Sequence, residues 1–205
     1  NFRGYHFSST QENILAMPST IKYIATTTPP NPTLISLLPP LFSHLNYSMR
    51  DTVEPLESRS NLDTLNIFGA QLSMTSFKFL PRNLKVLQIG CFGAASKTRF
   101  DANSLPPTLT EMSTTGVDYG ARFEVLRELP KHLTRLSISG GDSPYYIVEP
   151  ASSACILPQT LTYFSIDKLR IKNSYTDQVG DCSGFFANLP RGLLHLSVEL
   201  FTPYH

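Results

Sequence analysis

One phrase, Leu-Pro-x-x-Leu-x-x-Leu-x-Ile/Val, recurs along this chain and constrains its fold more than any other feature. It is clearest at 80–89 (LPRNLKVLQI), and it returns at 129–138 (LPKHLTRLSI), 157–166 (LPQTLTYFSI) and 189–198 (LPRGLLHLSV). A phrase that returns at a nearly fixed interval is typical of repeat architectures, in which each unit buries its apolar side chains against its neighbours. We therefore expect a solenoid.

Aligning the phrase on its first residue, called offset zero, gives eight copies, of which the first three are degenerate. The distances between successive starts are 21, 20, 22, 25, 24, 28 and 32 residues. Six of these seven lie in the range of about 20–29 residues that leucine-rich repeats use. We predict one solenoid domain over 1–205, with repeat starts near Met17, Leu38, Ser58, Leu80, Leu105, Leu129, Leu157 and Leu189.

The end of each phrase reads as a short strand with one buried face. Leu136 and Ile138 alternate with polar residues, which is the period-two pattern of a half-buried strand. Pro130 fixes its own φ and lacks an N–H, so the Leu-Pro pair is predicted to form a corner before the strand. The inward positions are then offsets zero, four, seven and nine. The segments between strands are predicted to be irregular or briefly helical, as at 121–128 and 184–188.

These phrases resemble leucine-rich repeats, and their Leu-Pro opening is similar to two branches of that class. One is the bacterial effector type, whose Asn after the strand is missing here. The other is the FNIP repeat, whose tetrapeptide after the strand is also missing. The resemblance implies an α/β solenoid: a right-handed curved array of about eight coils with a parallel β-sheet on its concave face. It also implies that the concave sheet binds other macromolecules, usually proteins.

Composition excludes several functional classes. The net charge is +1 and charged residues make up 16% of the chain. The chain therefore lacks the excess of positive charge that is typical of nucleic-acid-binding proteins. No apolar run is long enough to span a bilayer. The histidines show no metal-ligand spacing and no phosphate-binding loop is present, so we predict no cofactor and no metal.

The three cysteines do not form a disulfide framework, although Cys155 and Cys182 are the pair best placed to join. The chain starts at Asn1 without the apolar core of a signal peptide, which favours the cytoplasm. Because no atypical capping repeat closes the array, we also expect the chain to be a fragment of a longer protein.

The solvent-facing strand positions, offsets six and eight, are the candidates for recognition. Adjacent strands lie about 4.8 Å apart, so residues at one offset in successive copies become neighbours in space. Offset six varies between copies, whereas offset eight is small and polar in the later ones. We predict a partner-binding strip at offset six, floored by serines at offset eight. The strip is Glu111, Arg135, Tyr163 and His195, and the floor is Ser113, Ser137, Ser165 and Ser197.

Each of these patterns has an alternative interpretation. Glu111 and Arg135 could form only a cross-strand ion pair on a solvated face. The row of Ser and Asn at offset eight could form a flat array for glycan or ice, although the charged neighbouring row breaks its regularity. The segment 180–184 (GDCSG) matches the spacing of a nucleophile elbow built on Cys182, but it lacks the buried strand that an elbow requires. We therefore predict no catalytic residues.

The function that these patterns favour is non-catalytic protein binding by the concave sheet, with an unidentified protein as partner and not a small molecule. One alternative is a structural subunit packed permanently in a larger assembly. That role would use insertions on the convex side of the solenoid. The longest of them, Asp167–Cys182, is polar and is predicted to project from the solenoid. A more remote alternative is the substrate-recognition domain of a ligase or effector whose catalytic domain lies outside this chain.

Overall fold

The repeated strands form one continuous parallel sheet. The computed structural model describes residues 6–7, 17–26, 37–39, 42–48, 61–68, 80–90, 104–116, 126, 129–139, 145–148, 157–172 and 183–200. Within these ranges the sheet has ten strands, and every pair that it joins is parallel. The strands are β1 (His6–Phe7), β2 (Tyr23–Thr26), β3 (His44–Ser48), β4 (Thr64–Phe68), β5 (Val86–Gly90), β6 (Glu111–Thr115), β7 (Arg135–Ser139), β8 (Tyr145–Val148), β9 (Tyr163–Lys172) and β10 (His195–Leu200).

The order of the strands in the sheet follows the order of the repeats in the chain. From β1 to β7 each strand pairs with the next, and then β9 and β10 follow. The eight phrase copies therefore supply eight neighbouring strands, β2 to β7 with β9 and β10. Two strands remain. β1 pairs with β2 at the start of the sheet, and β8 pairs with the second half of β9, beyond the four positions where β7 pairs with its first half. Parallel neighbours in chain order are what stacked coils produce, so the prediction of an α/β solenoid is confirmed.

The Leu-Pro corner is a tight turn with a fixed hydrogen bond. The Pro81 carbonyl accepts the N–H of Leu84 at 3.1 Å, which closes a four-residue turn just before the strand. Proline can serve here because the turn uses its carbonyl and not the N–H that it lacks. Six further proline carbonyls accept the N–H of the third residue after them in the same way, at 3.0–3.1 Å: Pro18, Pro39, Pro106, Pro130, Pro158 and Pro190.

The core consists of the four inward offsets, as the alignment predicts. In the copy that starts at Leu129, exposure is 5% at Leu129, 0% at Leu133, 1% at Leu136 and 3% at Ile138. The copy that starts at Leu105 keeps the pattern with Met112 at offset seven and the buried Thr114 at offset nine. Stacked coils thus share one apolar core that runs under the sheet.

The connecting segments confirm one prediction and correct another. A short helix, α1 (Ser183–Ala187), confirms the helical segment predicted at 184–188. It brings the ring centre of Phe185 to 6.4 Å from that of Phe164, and Phe185 packs on the core. The prediction that Asp167–Cys182 projects as an insertion is wrong for its first six residues. These residues continue β9 to Lys172 and pair with β8, because 169–172 alternate apolar and charged residues as a strand does.

Three other predictions fall mostly on residues that the structure does not describe. Of the predicted helix at 121–128, the structure describes Leu126, which is buried. The proposed Cys155–Cys182 pair and the 180–182 part of the GDCSG segment lie outside the described ranges, whereas Ser183 and Gly184 begin α1. The structure therefore does not test the disulfide.

Candidate functional site

Strand register places the predicted strip in one row across four neighbouring strands. Glu111 of β6 lies opposite Arg135 of β7, Arg135 lies opposite Tyr163 of β9, and Tyr163 lies opposite His195 of β10. All four side chains lie on the sheet face that carries offsets six and eight, which we call the open face because it does not pack on the core. None of the four is buried.

The four side chains contact one another in sequence and form a continuous ladder. Nε of Arg135 lies 3.6 Å from Oε2 of Glu111, and the guanidinium carbon of Arg135 lies 4.3 Å from the centre of the Tyr163 ring. On its other side, Tyr163 stacks on His195 with ring centres 4.4 Å apart and planes within 3° of parallel. The guanidinium is thus held between a carboxylate and an aromatic face, two groups that attract it electrostatically.

The predicted serine floor lies beside this ladder. Ser113, Ser137, Ser165 and Ser197 are paired in register across the same four strands. The first three are partly buried beneath their larger neighbours, and Ser197 on β10 is exposed. The side chains are short, and each hydroxyl can both donate and accept a hydrogen bond.

A depression of about 230 Å³ lies where the ladder begins. Arg135, Glu111 and Tyr163 contribute to its wall, together with Val86 and Gln88 of β5. The last two occupy offsets six and eight of the preceding copy and are not among the residues predicted from the sequence. The alignment could have identified both, since Val86 lies opposite Glu111 and Gln88 lies opposite Ser113. They were not selected because an aliphatic and an amide side chain do not by themselves indicate a binding site.

Side-chain hydroxyls fix the start of the strands that carry the ladder. Oγ1 of Thr134 donates to the carbonyl of Thr110 at 3.0 Å, and Oγ1 of Thr162 donates to the carbonyl of Thr134 at 3.2 Å. The same two carbonyls also accept backbone N–H groups, including that of Arg135 at 3.1 Å. Because each strand is bonded to its neighbour just before the ladder residue, the ladder stands on a rigid scaffold.

The same two rows continue over the earlier strands with different chemistry. Nδ2 of Asn46 donates to the phenolic oxygen of Tyr23 at 3.4 Å, one strand away. Oδ1 of Asn66 is buried and has no hydrogen-bond partner. At offset eight of these strands, Asn46 and Asn66 replace the serines. This half of the open face is therefore less uniform than the half that carries the ladder.

The part of the chain that the structure describes contains no candidate metal centre. No group of three or more His, Cys, Asp or Glu side chains in those ranges could hold a metal ion. Among the same residues, no helix is long and apolar enough to cross a membrane.

Comparison with solved structures defines the fold class. The chain superposes on a crystal structure described as CroV588, a novel circular LRR protein, with a TM-score of 0.57 over 89% of this chain. The chain has a leucine-rich-repeat fold. Identity over the alignment is 20%, and the match spans 24% of that protein's length.

The leucine-rich-repeat resemblance of the phrases is thereby confirmed at the level of the class. Neither the FNIP branch nor the bacterial effector branch is supported over the other. No protein-family model matches the chain. No curated protein matches it by sequence.

Proposed function

We propose that this leucine-rich-repeat solenoid is a non-catalytic recognition module that binds another protein through the ladder on its open face. The observation that carries the proposal is the unbroken contact between Glu111, Arg135, Tyr163 and His195 on four adjacent strands. Leucine-rich-repeat folds serve generally as protein-interaction modules. The four residues differ from copy to copy, whereas those that build the solenoid recur.

The ladder is pre-organised for binding. A free arginine side chain loses up to about 2 kcal/mol of rotamer entropy when a partner immobilises it. Here the Arg135 guanidinium already contacts Glu111 on one side and the Tyr163 ring on the other. Part of that entropy is therefore lost on folding, and less remains to oppose association.

The composition of the ladder is typical of binding hot spots. Tyrosine and arginine dominate the residues whose truncation costs more than about 2 kcal/mol at protein interfaces. The side chains of Arg135 and Glu111 are still 51% and 47% exposed, so a partner could cover both. A cross-strand ion pair explains Glu111 with Arg135, but it does not explain why Tyr163 and His195 extend the contact across two more strands.

The partner is first identified by affinity capture with the 205-residue chain and mass spectrometry, and it is then purified for titration. We expect Arg135→Ala and Tyr163→Ala each to weaken its binding at least tenfold, which corresponds to about 1.4 kcal/mol. Arg82→Ala is the matched control, because Arg82 is an exposed arginine in a Leu-Pro turn and lies outside the ladder. Unchanged affinity in both ladder variants, with folding intact by circular dichroism, would exclude this site.

A further inference from the structure

The depression at the start of the ladder is lined by one anion and one cation. Among the described residues that form its wall, Glu111 and Arg135 are the charged ones. They lie opposite each other on β6 and β7, and their side chains are 47% and 51% exposed. Both formal charges therefore border the same small space, and their sum is zero.

The contact between these two side chains is loose and leaves hydrogen-bonding capacity on both. Nε of Arg135 lies 3.6 Å from Oε2 of Glu111, whereas a charge-assisted hydrogen bond of this kind is about 2.7–2.9 Å long. A guanidinium has five N–H donors, and this contact does not use those on the two Nη atoms. It does not use Oε1 of Glu111 either. The pair can therefore both donate to and accept from a third group.

A charged ligand would satisfy only one of the two side chains. A carboxylate that approaches Arg135 comes next to Glu111, and an ammonium group that approaches Glu111 comes next to Arg135. Each of these ligands gains one attraction and meets one repulsion. A neutral group that carries a donor beside an acceptor satisfies both side chains. Ser113 and Ser137 line the same depression, and their hydroxyls can bond to either end of such a group.

The donor and the acceptor of the ligand must lie along one edge. In a trans peptide bond the N–H and the C=O point in opposite directions, so one backbone amide cannot present both to adjacent side chains. A primary carboxamide, the end group of asparagine and glutamine, carries its NH2 and its oxygen on one carbon and can present both. A nucleobase that needs an aromatic face for stacking fits less well, because Arg135 and His195 already cover the two faces of Tyr163.

We propose that the depression binds an asparagine or glutamine side chain of the partner protein. The carboxamide oxygen accepts from the guanidinium of Arg135, and the carboxamide NH2 donates to the carboxylate of Glu111. Val86, an apolar residue of the wall, can contact the methylene carbons of the same side chain. This inference rests on the proposed function and adds to it the chemistry of the group that is recognised.

Three probes with the same backbone and different end groups test this chemistry. They are the N-acetyl, N-methylamide derivatives of glutamine, glutamate and lysine, which carry a carboxamide, a carboxylate and an ammonium group at neutral pH. Each is titrated into the nitrogen-15-labelled 205-residue chain, and the backbone amide signals of Ser113 and Ser137 report binding. We expect the glutamine probe to bind with a Kd of about 1 mM, as a small fragment can, and the other two to bind at least tenfold more weakly.

Two variants should change the preference through charge. Glu111→Gln leaves Arg135 as the charged residue of the wall, so the glutamate probe should become the tightest binder. Arg135→Gln leaves Glu111, so the lysine probe should become the tightest binder. Asp63→Asn is the matched control, because Asp63 pairs with Lys85 across two strands at 3.1 Å and is not part of the wall. It should keep the preference for glutamine. An unchanged dispersion of the amide signals shows that each variant is folded.

Three results would overturn the proposal: a wild-type preference for the glutamate or lysine probe, equal binding of all three, or no binding of any at tens of millimolar. Each can be distinguished from failure of the proposed function, which Arg135→Ala and Tyr163→Ala test with the captured partner. If those variants weaken partner binding while the wild type prefers a charged probe, the ladder is the binding site and the carboxamide assignment is wrong. If the glutamine probe is preferred while both variants keep full partner affinity, the partner binds elsewhere and does not supply the carboxamide.

Discussion

Replacing the same repeat position in an inner strand and in β10, the last strand of the described sheet, should produce very different losses of stability. Leu136 and Leu196 both occupy offset seven, but they are 1% and 41% exposed. Truncating leucine to alanine removes three carbons, worth roughly 0.8 kcal/mol each when fully buried, or about 2.4 kcal/mol. For Leu136 the enclosed cavity adds about 1 kcal/mol, so Leu136→Ala should cost about 3–4 kcal/mol.

The loss at the edge is smaller because burial there is incomplete. The buried fraction of Leu196 is 1 − 0.41 = 0.59, which scales the transfer free energy to about 1.4 kcal/mol. Because Leu196 is not enclosed, its truncation leaves no closed cavity and adds no further cost. Leu196→Ala should therefore be less than half as destabilising as Leu136→Ala.

Urea unfolding followed by far-ultraviolet circular dichroism measures both values. With an m value of about 2 kcal/mol/M, the midpoint should fall by about 1.5–2 M for Leu136→Ala and about 0.7 M for Leu196→Ala. Equal m values in the three proteins would show that the same cooperative unit is being compared. If Leu196→Ala cost as much as Leu136→Ala, the reasoning from the exposed fraction of each leucine would be refuted.

Three further changes test how neighbouring coils are joined. Thr160→Val should cost about 1 kcal/mol in urea unfolding, because Oγ1 of Thr160 lies 2.7 Å from each of two carbonyls of the preceding coil and shares its one proton between them; a cost near zero would contradict this role. Gly90→Ala should cost about 1 kcal/mol, since its Cβ would lie 2.8 Å from Cδ1 of Phe68, and that cost should shrink in a Phe68→Ala background. Lys85→Met should cost less than about 0.5 kcal/mol, and the loss should vanish in high salt, because its ion pair with Asp63 at 3.1 Å is exposed.

The architecture could be predicted from the sequence because the repeat fixes the register. Once the phrase is aligned, a residue at offset seven must lie beside the residue at offset seven of the next copy. Leu87, Met112 and Leu136 are paired in this way in the sheet, and all are buried. The same alignment of offsets is sufficient to place the four ladder residues in one row.

Contacts within the row could not be predicted in the same way. An alignment places Arg135 next to Tyr163 but does not say whether the guanidinium lies over the ring or extends into solvent. That choice depends on side-chain rotamers and on both neighbours of Arg135 together. The extension of β9 to Lys172 was also missed, because it depends on β8 supplying a partner strand from a segment that carries no copy of the phrase.

β10 shows that the repeat phrase alone does not determine how deeply a side chain is buried. Its phrase, LPRGLLHLSV, matches the inner copies at every inward position, yet Leu196 is exposed while Leu136 is buried. Burial in a solenoid is therefore a property of the junction between two coils, and a coil stacked on one side receives only part of it.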